Sequence, residues 1–207
     1  MLVSDFINKS LYTWINQKLP SYLLGNDAIV QDINYALDDI YTYEWKDWTF
    51  MYSKHIADFS TVGDASNITV TLDYPIKRLV WLTDLSWRTT EFDILKVEPT
   101  ESTDNLKSNE IYYKPWSKEI ILPNNGNAWY ILHYVHIFDK VELNDELPIP
   151  DIFEWALYNM TMTYAYPPYW QYWENKEWNT YAKANQQLVN LAKTDSFQMT
   201  KVKWNIH

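Results

Sequence analysis

Trp129-Tyr130-Ile131-Leu132-His133-Tyr134-Val135-His136, led in by Asn127-Ala128, is an extended apolar run rich in aromatic and β-branched residues. It reads as a buried strand. Glu146-Leu147-Pro148-Ile149-Pro150-Asp151 follows it and reads as a helix start. Proline at a first helical turn has its φ already set and needs no intrahelical donor. The helix opened there carries Ile152, Trp155, Ala156, Asn159, Met162 and Thr163 at spaced positions through Ala165. Pro167-Pro168 stops it, since neither residue donates a backbone hydrogen bond. Asn175 opens a last helix, with Trp178, Tyr181, Ala182, Leu188, Leu191 and Ala192 at helical spacing. The second half therefore runs from strand to helix to helix.

Upstream, the periodicity changes twice. Phe6, Ile7, Leu11, Trp14 and Ile15 predict a short helix over Ser4 to Lys18, with Ser4 as its N-cap and a break at Pro20 and Gly25. Ile29, Ile33, Ala36, Leu37 and Ile40 form the apolar face of a long helix from Asn26 that runs on to about Met51 or hands over to irregular structure near Trp48, with Asp32, Asp38 and Asp39 off that face. The residues from Asp64 to Pro123 read as short strands. These are Ile68–Leu72, Arg78–Leu82, Phe92–Val97, Ile111–Tyr113 and Glu119–Leu122, with a polar loop over Glu98 to Asn109. Asn124-Asn125-Gly126-Asn127 is a turn signal that pairs the run from Trp129 to Phe138 back as a hairpin. The expected class is α+β: a bundle of N- and C-terminal helices (residues 1–63 and 146–195) with an inserted small antiparallel sheet or sandwich (64–145). A tail follows at 196–207.

The chain has 207 residues, enough for one well-buried core with a small appended lobe. Its formal net charge is -10, which disfavours binding to a phosphate backbone. It contains no cysteine, so disulfides, thiol nucleophiles and thiolate metal sites are excluded. The first residues lack a basic stretch followed by a long apolar core, so no secretory signal is expected, and no segment has the roughly 20 apolar residues of a membrane span. Aromatic residues make up 17%, including 12 Trp and 17 Tyr, a composition suited to interfaces as well as cores.

Residues that could carry chemistry are sparse. Three glycines could hardly build a phosphate-cradling loop. His133 and His136 are three apart in a strand, so alternation sends them to opposite faces and defeats joint metal ligation. His55 and His207 are isolated. The carboxylates Asp38, Asp39, Glu142, Asp145 and Glu146 cluster in sequence, which does not set two carboxyls across a cleft as glycosidase chemistry needs. No catalytic, metal-binding or cofactor-binding residue is therefore expected. The densest aromatic patch is Tyr166 to Trp173, containing Tyr166, Tyr169, Trp170 and Trp173. It suits either packing between neighbouring subunits or, alternatively, a stacking platform for sugar rings, which would make the chain a carbohydrate-binding module.

Four pieces taken in order resemble a known family. They are the acidic and aromatic helix from Asp27 to Trp48, then Leu72-Asp73-Tyr74-Pro75-Ile76, then Leu147-Pro148-Ile149-Pro150-Asp151, and the closing helices from Trp170 through Leu191. The layout is similar to the head-to-tail adaptor (connector) proteins of short-tailed bacteriophages, of the tail tubular protein A type, over most of the chain up to about Asp195. The helix junction departs from the family, with Pro-Pro and several aromatics where small residues are usual. The resemblance implies a structural virion protein at the head-tail junction, made in the cytoplasm of a host bacterium. It implies a ring of identical copies, a dodecamer, under the portal protein, which extends the DNA channel and carries the next tail or nozzle component. It implies no enzyme activity, cofactor or membrane, and DNA that passes through without specific binding. On this reading Tyr166, Tyr169, Trp170, Trp173, Phe197, Met199, Val202 and Trp204 serve subunit and portal contacts. Asp32, Asp38 and Asp39 offer an acidic lumen face, and the tail from Lys193 to His207 reaches toward the portal.

Overall fold

The computed structural model describes residues 1–11, 26–58, 67–84, 93–96, 110–123, 129–165 and 178–195. The chain is mixed α+β and divides into two compact units, Met1–Phe50 with Lys140–His207, and Met51–Asp139.

In the first unit, α1 (Val3–Phe6) continues into a π-helical turn, Ile7–Leu11. Ser4 is not its N-cap. Leu2 holds that position without a side-chain bond, and the first helical N–H groups of Val3 and Ser4 go instead to Asp145 O (2.9 Å) and Leu143 O (3.0 Å). The α2 helix is Asn26–Thr42, and its anticipated stripe of Ile29, Ile33, Ala36, Leu37 and Ile40 is buried throughout. The helix does not run on to Met51, and it ends a few residues before the alternative handover near Trp48. The chain leaves the helix at Glu44, a left-handed residue (φ 41°, ψ 31°), and folds back. Trp48 then lies fully buried, its indole N–H donating to Ile40 O at 2.6 Å and so satisfying one of the carbonyls that a helix end leaves open. No glycine or proline marks this stop, and burial of one aromatic side chain decides it.

After Pro150, a 3-10 turn (Asp151–Phe153) leads into α3 (Glu154–Ala165), and α4 follows as Trp178–Thr194. Helix α3 packs against both α2 and α4. Residues Ala156 to Met162 are accordingly all buried, as expected of a helix covered on several sides. Trp48 and Phe50 both meet Phe153 edge-on, at 4.9 and 5.1 Å between ring centroids.

The second unit holds seven strands: β1 (Tyr52–Asp58), β2 (Asn67–Thr71), β3 (Ile76–Asp84), β4 (Asp93–Lys96), β5 (Glu110–Tyr113), β6 (Glu119–Pro123) and β7 (Trp129–His136). They form a three-stranded sheet, β1-β7-β3, and a four-stranded sheet, β2-β6-β5-β4. Side chains from both sheets share one core, among them Ala57, Leu79 and Leu132 from the first and Ile68, Ile111 and Ile120 from the second. Three expectations are corrected. The segment Tyr52–Asp58 is a strand of this unit, although the sequence reading gave it to the helical part. The β7 strand pairs with β1 and β3, in the sheet that lacks β6, so the hairpin across Asn124–Asn127 does not form. The β4 and β5 strands pair in parallel rather than antiparallel. An apolar strand buried on both faces wants a neighbour on each side, and β7 gains two by sitting at the centre of its sheet.

Among the described residues, no helix is long and apolar enough to cross a membrane.

Candidate interaction surfaces

The acidic residues of α2 separate by environment. Asp32 and Asp39 are seven positions apart, about two helical turns, and so lie on nearly the same side, while Asp38 is rotated away. Burial pushes the Asp32 carboxyl up to about 6. Asp38 is exposed; partial burial raises its carboxyl, Lys140 counters this, and Asp39 adds to it. Asp39 accepts a hydrogen bond from the Tyr164 hydroxyl of α3, and Tyr164 lies 5.6 Å from the Tyr35 ring. Asp39 is thus committed to a contact between helices and is not a free acidic group. It also borders a groove of about 480 Å³ lined by Thr42, Tyr43, Met160, Tyr181 and Asn185.

The start of α3 presents large apolar side chains to solvent. The sequence pattern put Ile152 and Trp155 on the helix's apolar stripe, yet they are 63% and 56% exposed. Tyr181 and Ala182 of α4, placed on its apolar face by spacing, are also exposed; Leu188 of the same expected face is buried, and so is Ala184, which the spacing did not pick out. Trp155 stacks flat on Tyr158 (5.0 Å, 5°). Below Ile152 an apolar groove of about 400 Å³ runs between Phe50, Phe153 and Leu191 to Asp195 at the end of α4. That end is firmly tied. Asp195 carboxylate oxygens accept from the backbone N–H (3.1 Å) and hydroxyl of Thr49, and the Lys46 ammonium donates to Asp195 O at 2.9 Å.

In the second unit, His133 and His136 are both buried and occupy different surroundings, in keeping with alternation along β7. His133 lies among Trp81 (4.7 Å) and Tyr52, whose hydroxyl is hydrogen-bonded to its Nδ1. His136 stacks on Tyr74 (4.6 Å, 19°) and meets Phe138 edge-on. Burial, with a smaller contribution from the Lys54 charge, lowers His133 to about 4, and burial lowers His136 as well. Both rings are therefore neutral aromatic packing groups. Among the described residues, no three His, Asp or Glu side chains are grouped as metal ligands. The Glu142 and Asp145 pair closes a local turn, with the Asp145 carboxylate accepting from Glu142 N at 2.7 Å.

A feature the sequence reading passed over is the turn Lys114-Pro115-Trp116-Ser117, closed by Ser117 N donating to Lys114 O (3.1 Å). Trp116 has φ 70°, a conformation that turns with proline in the second position normally give to glycine. A bulky residue there is strained by about 1–3 kcal/mol. The backbone is held by Trp116 N to Ile76 O (2.8 Å) and Ile76 N to Ser117 O (2.9 Å), and the side chain is 52% exposed. Proline two places ahead of serine was the available signal.

Tyr166, Tyr169, Trp170, Trp173, Phe197, Met199, Val202 and Trp204 lie outside the described residues, as do the Asn124–Asn127 turn and the Glu98–Asn109 loop. No protein-family model matches this chain, and no curated protein matches it at a significant level.

Proposed function

We propose that the chain is a structural subunit that associates laterally with copies of itself into a ring, in the manner of a head-to-tail adaptor seated beneath a phage portal. The observation that carries this reading is the display of large aromatic side chains by both units. Trp155 in one and Trp116 in the other are each more than half exposed. Neither adds much to a core, and Trp116 is kept at a backbone cost. Tryptophan is enriched at surfaces that another protein covers relative to the rest of a protein's surface. A closed ring needs two complementary lateral faces on every subunit, which doubles the demand for such surface.

In this reading the helices from both chain ends form one bundle, and the β region is inserted between them in the sequence. The ring is a dodecamer whose partners are the portal above and a tail or nozzle component below. It stands at the head-tail junction of the virion and performs no reaction. Asp32 and Asp38 contribute to an acidic lumen that lets DNA slide without binding it, with Asp39 engaged by Tyr164.

The test is assembly on purified portal. The isolated chain sediments as a monomer or weak oligomer at micromolar concentration, and portal converts it to a ring-sized complex. Trp155→Ser and Trp116→Ser leave the free chain folded and block that conversion. A chain that ignores portal and is missing from mature particles has some other role.

A further inference from the structure

The groove at the end of α4 has an occupant that its position and chemistry single out. We infer that it receives the segment from Ser196 to His207 of the same chain. This goes beyond the adaptor reading and does not depend on it.

Three observations converge. First, the segment begins at the groove. Asp195, which directly precedes the segment, lines the groove and is tied by Thr49 and Lys46. Lys46 also reaches Ala192 O at 3.4 Å, so the C-terminal end of α4 is pinned against the stretch that supplies Phe50 to the groove wall. Second, the groove walls are Phe50, Ile152, Phe153 and Leu191, and the segment offers Phe197, Met199, Val202, Trp204 and Ile206. Aromatic and thioether side chains fill irregular apolar clefts well. Third, the segment carries Lys201 and Lys203 and no Asp or Glu, and the one charged side chain lining the groove among the described residues is the Asp195 carboxylate.

The same arguments select the chain's own segment over that of a second copy. A tethered segment sees its site at a millimolar effective concentration, far above the micromolar concentration of free copies.

The absence of cysteine makes a direct test available. Ile152→Cys and Met199→Cys are introduced together in the full chain, and the protein is oxidised at low micromolar concentration. The expected product is an intrachain disulfide in the monomer band, with near-complete loss of free thiol. Disulfide-linked dimers alone, or free thiols that persist, overturn the assignment. A second measurement uses a labelled peptide of residues 196–207 and fluorescence anisotropy. A full-length chain carrying Phe197→Ser and Trp204→Ser leaves the groove open and binds the peptide about 100-fold more tightly than the unaltered chain, the ratio expected for a millimolar tether against a ten-micromolar site. Adding Leu191→Lys removes that binding. Equal binding to the altered and unaltered chains, or binding indifferent to Leu191→Lys, refutes the inference.

Discussion

Acid should unfold the β unit through His133. The ring is 3% exposed, its Nδ1 is engaged by Tyr52, and its Nε2 has no hydrogen-bond partner among the described residues. Burial and then Lys54 hold its pKa at about 4, against 6.5 for a free imidazole. The folded pKa is depressed, so the unfolded chain takes up this proton first as pH falls. The stabilising preference for neutral imidazole is complete above pH 6.5 and is lost between 6.5 and 4. Each pKa unit corresponds to about 1.4 kcal/mol, so the loss over that window is about 3 kcal/mol. His136 is depressed in the same direction and adds to it. Urea midpoints at pH 7.5 and 4.5, followed by tryptophan fluorescence, measure the effect. His133→Phe keeps the aromatic contact with Trp81 and deprives the Tyr52 hydroxyl of a partner, at a cost of about 1 kcal/mol at pH 7.5. Its stability then falls less on acidification, and the two curves cross near about pH 6. Parallel pH profiles for the two proteins, or a His133 imidazole titrating near 6.5 by NMR, would refute this account.

Three further outcomes are expected. Asp32→Asn stabilises the helical unit above pH 6 and has no effect below pH 4, because the raised pKa of Asp32 means that ionisation costs folded-state stability as pH rises from 3.8 to about 6. The full shift corresponds to about 3 kcal/mol, which partial solvent screening reduces to about 1; thermal melts at pH 7.5 and 4 check it. Trp116→Gly relieves the left-handed strain and raises stability by about 1 kcal/mol in urea titration, and a destabilised variant would mean that the indole is needed for packing. The segment Met51–Asp139 expressed alone retains a β-type circular dichroism spectrum and a cooperative melt, whereas the segment Met1–Phe50 alone does not become helical.

The parts of the fold legible in the sequence are those with an unambiguous period. The α2 stripe and the alternation of Ile68 and Val70 in β2 are both realised as burial. The failures have local physical causes. The β1 strand lies at a sheet edge with Lys54, Ile56 and Asp58 exposed, so it lacks the apolar signal of a buried strand. The α2 terminus is set by Trp48 turning back to Ile40, a contact that no local propensity encodes. For α3 the pattern was misread because seven consecutive residues are buried, which removes any stripe to find and leaves Ile152 and Trp155 outside the covered part. At the candidate surfaces, aromatic abundance pointed to contacts without locating them. An exposed tryptophan and a buried one have the same letter, and only the three-dimensional partners distinguish Trp155 from Trp48.

The polar contacts of the helical unit share a property that bears on how it forms. Asn34 of α2 donates to Val141 O (3.0 Å) and accepts from Val141 N (2.8 Å), Asp39 accepts from Tyr164, and Lys46 donates to Asp195. Each joins residues more than 100 positions apart in the chain, with separations of 107, 125 and 149. The buried stripe of α2 likewise faces α3, which is synthesised long after it. An isolated amphipathic helix of this length is marginal in water, so α2 has little to hold it until its partners arrive. The β unit, by contrast, is one continuous stretch, and all its strand pairings close within it. It can complete its core first, and the pairing of Tyr52 with Val135 brings its own first and last strands together, which shortens the effective loop between α2 and α3. Closure of a shorter loop costs less entropy, so the inserted sheet helps the two ends of the chain to meet.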